Sequence, residues 1–71
     1  MALREQLERL IDDMVTRGVR YDDARREFEK RFIQRVLART DGNLCKAADA
    51  LGMHRNTLSR KISEYRLCRS A

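Results

Sequence analysis

The chain has 71 residues, a formal net charge of +5, two cysteines, three glycines and no proline. One domain is all that this length holds, and a lone copy would bury too little apolar surface to be comfortably stable, so a second source of burial is expected. Cys45 and Cys68 are too few for a disulfide framework, and no apolar run has the form of a signal peptide or a membrane span; the expectation is free thiols in a reducing cytoplasm and no membrane partner.

Leu3, Leu7, Leu10, Ile11, Met14 and Val15 recur at threes and fours and stop before Gly18, which predicts a helix over about 3–17. A second helix is predicted over about 22–40, with Asp22 as its cap and Asp41-Gly42 beyond its end. Its stripe of Tyr21, Ala24, Phe28, Phe32, Ile33, Val36 and Leu37 is wide and aromatic. These aromatics, and Tyr65 downstream, sit on apolar stripes and are expected in a core rather than as base-stacking platforms. Glu5 with Arg9, Asp13 with Arg17, and Glu27 with Arg31 stand four apart on the outer faces, where each pair contributes only a few tenths of a kcal/mol.

The third pattern begins at Asn43, a capping residue, and places Leu44, Ala47, Ala48 and Leu51 on one stripe, which predicts a helix over about 44–51. Ala47 and Ala48 suit a close helix approach, where larger side chains would push the partners apart. Gly52 ends that helix at a position where a left-handed backbone is usual. A fourth helix is predicted over about 55–66: Leu58, Ile62 and Tyr65 pack, while Arg55, Asn56, Ser59, Arg60 and Lys61 fall largely between them. Two short helices about a glycine turn, the second rich in hydrogen-bond donors, have the form of a helix-turn-helix.

Charge is distributed to match. Residues 1–41 hold ten Lys/Arg and nine Asp/Glu, a net of +1, whereas residues 42–71 hold six and two, a net of +4. Basic patches attract phosphate and displace its counterions, which supplies most non-specific nucleic-acid affinity, and it is the helix-turn-helix form that makes double-stranded DNA the expected partner. Four helices offer more apolar stripe than so short a reader covers, and the simplest cover for the surplus is a second copy of the chain.

The segments Phe28-Glu29-Lys30-Arg31-Phe32-Ile33, Gly42-Asn43, Lys46-Ala47-Ala48, Leu51-Gly52-Met53-His54-Arg55-Asn56-Thr57-Leu58 and Arg60-Lys61 resemble the Fis-type helix-turn-helix family over about residues 20–67. That module forms nucleoid-associated proteins and the C-terminal DNA-binding domain of nitrogen-regulation-type activators of the alternative sigma factor. The resemblance implies an all-α, four-helix fold and an intertwined homodimer. Residues 1–41 would form a helical dimerisation core and residues 42–71 the DNA-binding unit, together one domain. Leu7, Leu10, Met14, Phe28, Phe32 and Val36 would occupy the dimer interface.

The same resemblance places Asn43, Lys46, His54, Arg55, Asn56, Thr57, Arg60 and Lys61 against DNA. Arg55 would contact a base, since its fork matches guanine O6 and N7. Thr57, Arg60 and Lys61 would serve phosphates, Asn43 and Lys46 would grip the backbone from the preceding helix, and His54 would make a weak phosphate or base-edge contact. A narrow intertwined core implies readers closer together than one helical repeat, and hence bent DNA. RNA polymerase enters as a candidate partner through the turn at Asp41, although an acid stands there in place of the family's basic or neutral residue. Cys45 replaces a common hydroxyl donor, and a thiol donates weakly. The nucleoid protein's long N-terminal arm has no counterpart among the twenty or so residues before the second helix.

No nucleophile stands beside a histidine at a meaningful spacing, no glycine-rich phosphate loop occurs, and the acids read as exposed, so no enzyme activity or cofactor is expected. Cys45, His54 and Cys68 lack the close spacing pair of a zinc site, so no metal is expected either. The expectation is a DNA-binding protein of bacterial transcription or nucleoid organisation, located in the cytoplasm at the nucleoid. Its variant is the excised C-terminal domain of a larger sigma-factor activator, and Met1 fits either. A structural dimerisation module with a merely basic surface is the alternative of another class; RNA binding would call for exposed stacking aromatics.

Overall fold

The computed structural model describes residues 2–67, in which four helices follow one another: α1 (Leu3–Thr16), α2 (Tyr21–Arg39), α3 (Leu44–Leu51) and α4 (Arg55–Tyr65). No strand occurs among the described residues. Each helix lies within one residue of the bounds its apolar spacing predicts. Cys68, one of the two expected free thiols, lies outside the described residues, while Cys45 is free and exposed.

The core consists of Ile33 and Leu37 from α2, Ala47 and Ala48 from α3, and Leu58 and Ile62 from α4. Ile33, Leu37 and Leu58 are the largest side chains fully removed from solvent. Helix α3 packs against both α2 and α4. Its two buried alanines make that double contact possible, because a methyl group lets two backbones approach a third. Val36, Leu44, Leu51, Met53 and Leu67 close the edges.

Each helix end follows from a local signal. The Asn43 side-chain oxygen accepts from the Lys46 amide at 3.0 Å and caps α3. Gly52 takes the left-handed conformation (φ 69°) that stops α3, and the Met53 amide reaches back to the Ala48 carbonyl at 3.0 Å, closing a Schellman turn. Helix α4 closes the same way, with Leu67 bonding to the Ile62 carbonyl at 3.0 Å, but there the left-handed residue is Arg66 (φ 54°). Asp41 (φ 54°) enters that region ahead of Gly42 after α2.

Asp22 does not cap α2. The helix starts one residue earlier, its flanking residue is Arg20, and no side chain caps it. Asp22 and Asp23 instead lie within the first turn, where a negative charge still meets the positive end of the helix dipole.

In one chain the aromatic half of the α2 stripe is not core. Tyr21 is 80% exposed, Phe28 57% and Phe32 50%, with the two phenyl rings 5.4 Å apart in a tilted contact. The reason is reach: α3 and α4 cover the stripe of Ile33 and Leu37, and among the described residues the stripe before it is left largely open. Helix α1 buries none of its residues, so Leu3, Leu7, Leu10, Ile11 and Val15 also stand open. Exposed i,i+4 pairs join Asp13 to Arg17 and Glu27 to Arg31, each at 3.2 Å; near the start of α1 the pair is Arg4 with Glu8 at 3.8 Å, not Glu5 with Arg9. Pairs this exposed contribute little to stability.

Candidate nucleic-acid interface

Helix α4 carries its donors on the side turned away from the core. Leu58 and Ile62 point inward, and Arg55, Asn56, Ser59 and Arg60 are exposed at positions i, i+1, i+4 and i+5, a spacing that lines one face of a helix. Thr57 is half-buried on the flank. These four residues offer two guanidinium groups, an amide and a hydroxyl, and the acid that follows them is Glu64, exposed one turn beyond Arg60. Ser59 belongs to this face as much as Arg60 does, although the family pattern does not single it out.

His54 holds the helix start. Its Nδ1 accepts from the Asn56 amide at 3.0 Å, so the ring acts as the N-cap and carries its hydrogen on Nε2. On α3, Asn43 and Lys46 are both exposed at the first turn. Asn43 spends its oxygen on the cap, which leaves its amide hydrogens to donate. A helix start of this kind also keeps its first backbone N–H groups without an intrahelical acceptor, a favourable setting for an anion.

Lys61 stands apart from the other predicted DNA contacts. Its ammonium is paired with the Glu29 carboxylate on α2, and its side chain is only 28% exposed. Tyr65, one turn further along α4, donates its hydroxyl to the other oxygen of Glu29 at 2.6 Å, and Arg25 approaches that oxygen at 3.3 Å. The Lys61 ammonium, then the Tyr65 hydroxyl, hold the Glu29 carboxyl below the usual carboxylate value of 4.5, against a smaller opposing effect of burial. The same bond raises the Tyr65 hydroxyl above 10.0.

The expectation that the acids all lie on exposed faces fails at Glu29, whose side chain is 19% exposed. A signal for this was present in the sequence. Glu29 falls one turn before Ile33 on the stripe that enters the core, and an acid at such a position calls for a cation or a donor opposite it.

The residues expected at a dimer interface are placed unevenly. Leu7, Leu10, Phe28 and Phe32 are exposed, Met14 is half-buried, and Val36 is partly spent on the chain's own core. Phe28, Glu29, Phe32 and Ile33 line a shallow, mostly apolar groove with Leu51 and Met53, the residues on either side of Gly52. Among the described residues no group of three or more His, Cys, Asp or Glu is placed to hold a metal ion, and no helix is long and apolar enough to cross a membrane.

Known proteins are similar to this chain in sequence. The chain is 48% identical over 56 residues to the DNA-binding transcriptional regulator NtrC of Rhizobium meliloti (strain 1021), covering 72% of this chain and 12% of that protein. It is 45% identical over 53 residues to NtrC of Azospirillum brasilense, covering 75% of this chain and 11% of that one. A putative Fis-like DNA-binding protein of Xylella fastidiosa (strain Temecula1 / ATCC 700964) is 43% identical over 47 residues, 66% of this chain and 52% of its own length. The chain thus spans only a small part of the two nitrogen regulators and about half of the third relative. No solved structure matches it. Residues 24–65, from the second turn of α2 to the end of α4, match the family described as bacterial regulatory protein, Fis family, and with this the chain belongs to the Fis family.

Proposed function

We propose that this chain is a sequence-preferring DNA-binding unit of bacterial transcription regulation that acts as a homodimer, by binding and not by catalysis, in the cytoplasm at the nucleoid. The observation that carries this reading is the exposed face of α4, where Arg55, Asn56, Ser59 and Arg60 stand open to solvent behind the turn at Gly52. In the major groove Arg55 contacts a guanine edge, while Arg60 and Thr57 serve phosphates. Asn43 and Lys46 hold the backbone from α3, and His54 adds its Nε2–H at the helix start. Four of the six interface residues, Leu7, Leu10, Phe28 and Phe32, are open in one chain, as a dimer surface requires. Two readers on a narrow core meet successive major grooves only if the duplex bends, so base pairs that no side chain touches also carry specificity.

The match to 12% and 11% of the two nitrogen regulators favours a second context for the same unit, the C-terminal end of a longer sigma-factor activator. In that context RNA polymerase is a further partner. Selection from random duplexes at stated salt tests the central reading, followed by Arg55→Ala on the selected site. Loss of about 1–3 kcal/mol, with base preference flattened at one position per half-site, is the expected result. Changing only the untouched centre of the site from A/T to G/C should weaken binding. No enrichment of any sequence, together with equal loss by Arg55→Ala on every duplex, would leave a dimerisation module with a basic surface.

A further inference from the structure

Three side chains from two helices converge on Glu29. Lys61 and Tyr65 stand one turn apart on the same flank of α4, and each takes a different oxygen of the carboxylate; Arg25 adds to the oxygen that Tyr65 uses. Below this cluster, Ile33 packs with Leu58 and Ile62 in the core. Apolar contact between two helices fixes their separation but tolerates sliding and rotation. A carboxylate bonded to two positions one turn apart resists both, because rotation of α4 would lengthen one bond or the other.

We propose that Glu29 is a positioning residue for α4: it sets the angle at which Arg55, Asn56 and Arg60 are presented, and it withholds Lys61 from phosphate. This rests on the reading of α4 as the DNA-contacting helix. The sequence counts Lys61 among the phosphate contacts, but an ammonium engaged by a carboxylate is already neutralised and gains little from exchanging one anion for another. The cations of the face that stand open to solvent are then Arg55 and Arg60. Glu29 also limits indiscriminate attraction to nucleic acid, since it cancels a charge that would otherwise serve any duplex equally.

The test measures anisotropy of a labelled random-sequence duplex and of a selected site across a range of salt. Each phosphate contact contributes about 0.9 to the slope of log affinity against log salt. Lys61→Met should leave the slope on the random duplex unchanged, whereas Arg60→Ala should make it shallower by about 0.9. Glu29→Gln frees Lys61: random-duplex affinity should rise several-fold, the slope should steepen, and the ratio of selected to random affinity should fall. Glu29→Gln with Lys61→Met should return the slope, but not the ratio, to the original value.

A shallower slope in Lys61→Met alone would overturn the proposal, since Lys61 would then be a phosphate clamp. Should Glu29→Gln fail to fold, the Lys61→Met slope and the selected-to-random ratio of Tyr65→Phe still decide, with a fall in that ratio expected and an unchanged ratio counting against positioning. If the unmodified chain binds neither duplex, the reading of α4 as a DNA reader is what fails. The clasp is then decided by NMR titration of the Glu29 carboxyl, whose midpoint should rise in Lys61→Met; an unmoved midpoint overturns it.

Discussion

Replacing Phe32 with alanine should separate association from folding. Phe32 is half exposed in one chain and touches Phe28 on a stripe that α3 and α4 leave uncovered. A phenylalanine buries roughly 200 Å² when fully covered, so about 100 Å² at this site awaits a partner, of which alanine would retain roughly a fifth. At about 25 cal/mol per Å² the loss is about 2 kcal/mol per copy, and about 4 kcal/mol in a two-fold interface that uses the residue twice. The dimer dissociation constant should therefore rise by about a thousandfold. Sedimentation equilibrium over nanomolar to high-micromolar concentration measures it, and Arg31→Ala, on an exposed ion pair with Glu27, should leave it unchanged. Far-UV circular dichroism supplies a second readout. Helix α1 buries nothing of its own and has 14 residues, a length at which an isolated helix is marginal in water, so helicity should fall along with association. A fully helical monomer at micromolar concentration, or a shift below tenfold in Phe32→Ala, would refute the reasoning.

Two backbone predictions have opposite signs. Gly52→Ala adds a Cβ that meets nothing within 4 Å, so its cost is conformational alone, about 1–2 kcal/mol for the left-handed region less about 0.4–1 kcal/mol gained through the unfolded chain. Urea titration should show a small net loss, and a loss above about 3 kcal/mol would reveal a steric demand the backbone does not predict. Arg66→Gly, at φ 54°, should stabilise by a similar small amount, and no gain would show that Arg66 is not strained there. Acid should weaken the attachment of α4 through Glu29, whose folded-state carboxyl titrates below 4.5. Its contribution is complete above that unfolded value and disappears as pH falls through the lower folded value, so the stability difference between the unmodified chain and Glu29→Gln should narrow in that window. A difference independent of pH would mean that the charge of Glu29 is immaterial.

The helices were legible because their signals are local. Asn43, Gly52 and Gly18 act on residues within one turn, and apolar spacing at threes and fours survives any tertiary context. The start of α2 was not legible at Asp22, because a capping residue followed by a second acid serves equally well inside the first turn. The fate of Phe28 and Phe32 was half legible. Periodicity identifies the apolar face of a helix, but not whether the chain itself supplies enough surface to cover it. The pairing of Lys61 with Glu29 was not legible. A lysine on a basic helix reads as a solvent cation by composition, while its long stem lets the ammonium turn back to any carboxylate within reach. The position of Glu29, one turn before Ile33, was the clue that composition hides.

Helix α2 is where reading and pairing meet. Ile33 and Leu37 lie on one stripe, Phe28 and Phe32 on another about 100° around the axis, as consecutive residues of a helix must. The first stripe supports the chain's own α3 and α4, and Glu29 extends it to Lys61 and Tyr65. The second is what a partner copy would cover in the proposed dimer. Because Leu51 and Met53 share a groove with Phe28 and Phe32, such a partner would also press on the turn that orients α4. Association and presentation of the reader are then set by one rigid element. A change on the outer stripe should therefore alter affinity for DNA even with no dimer dissociated, through the turn at Gly52, whereas a change in Arg55 should leave association untouched.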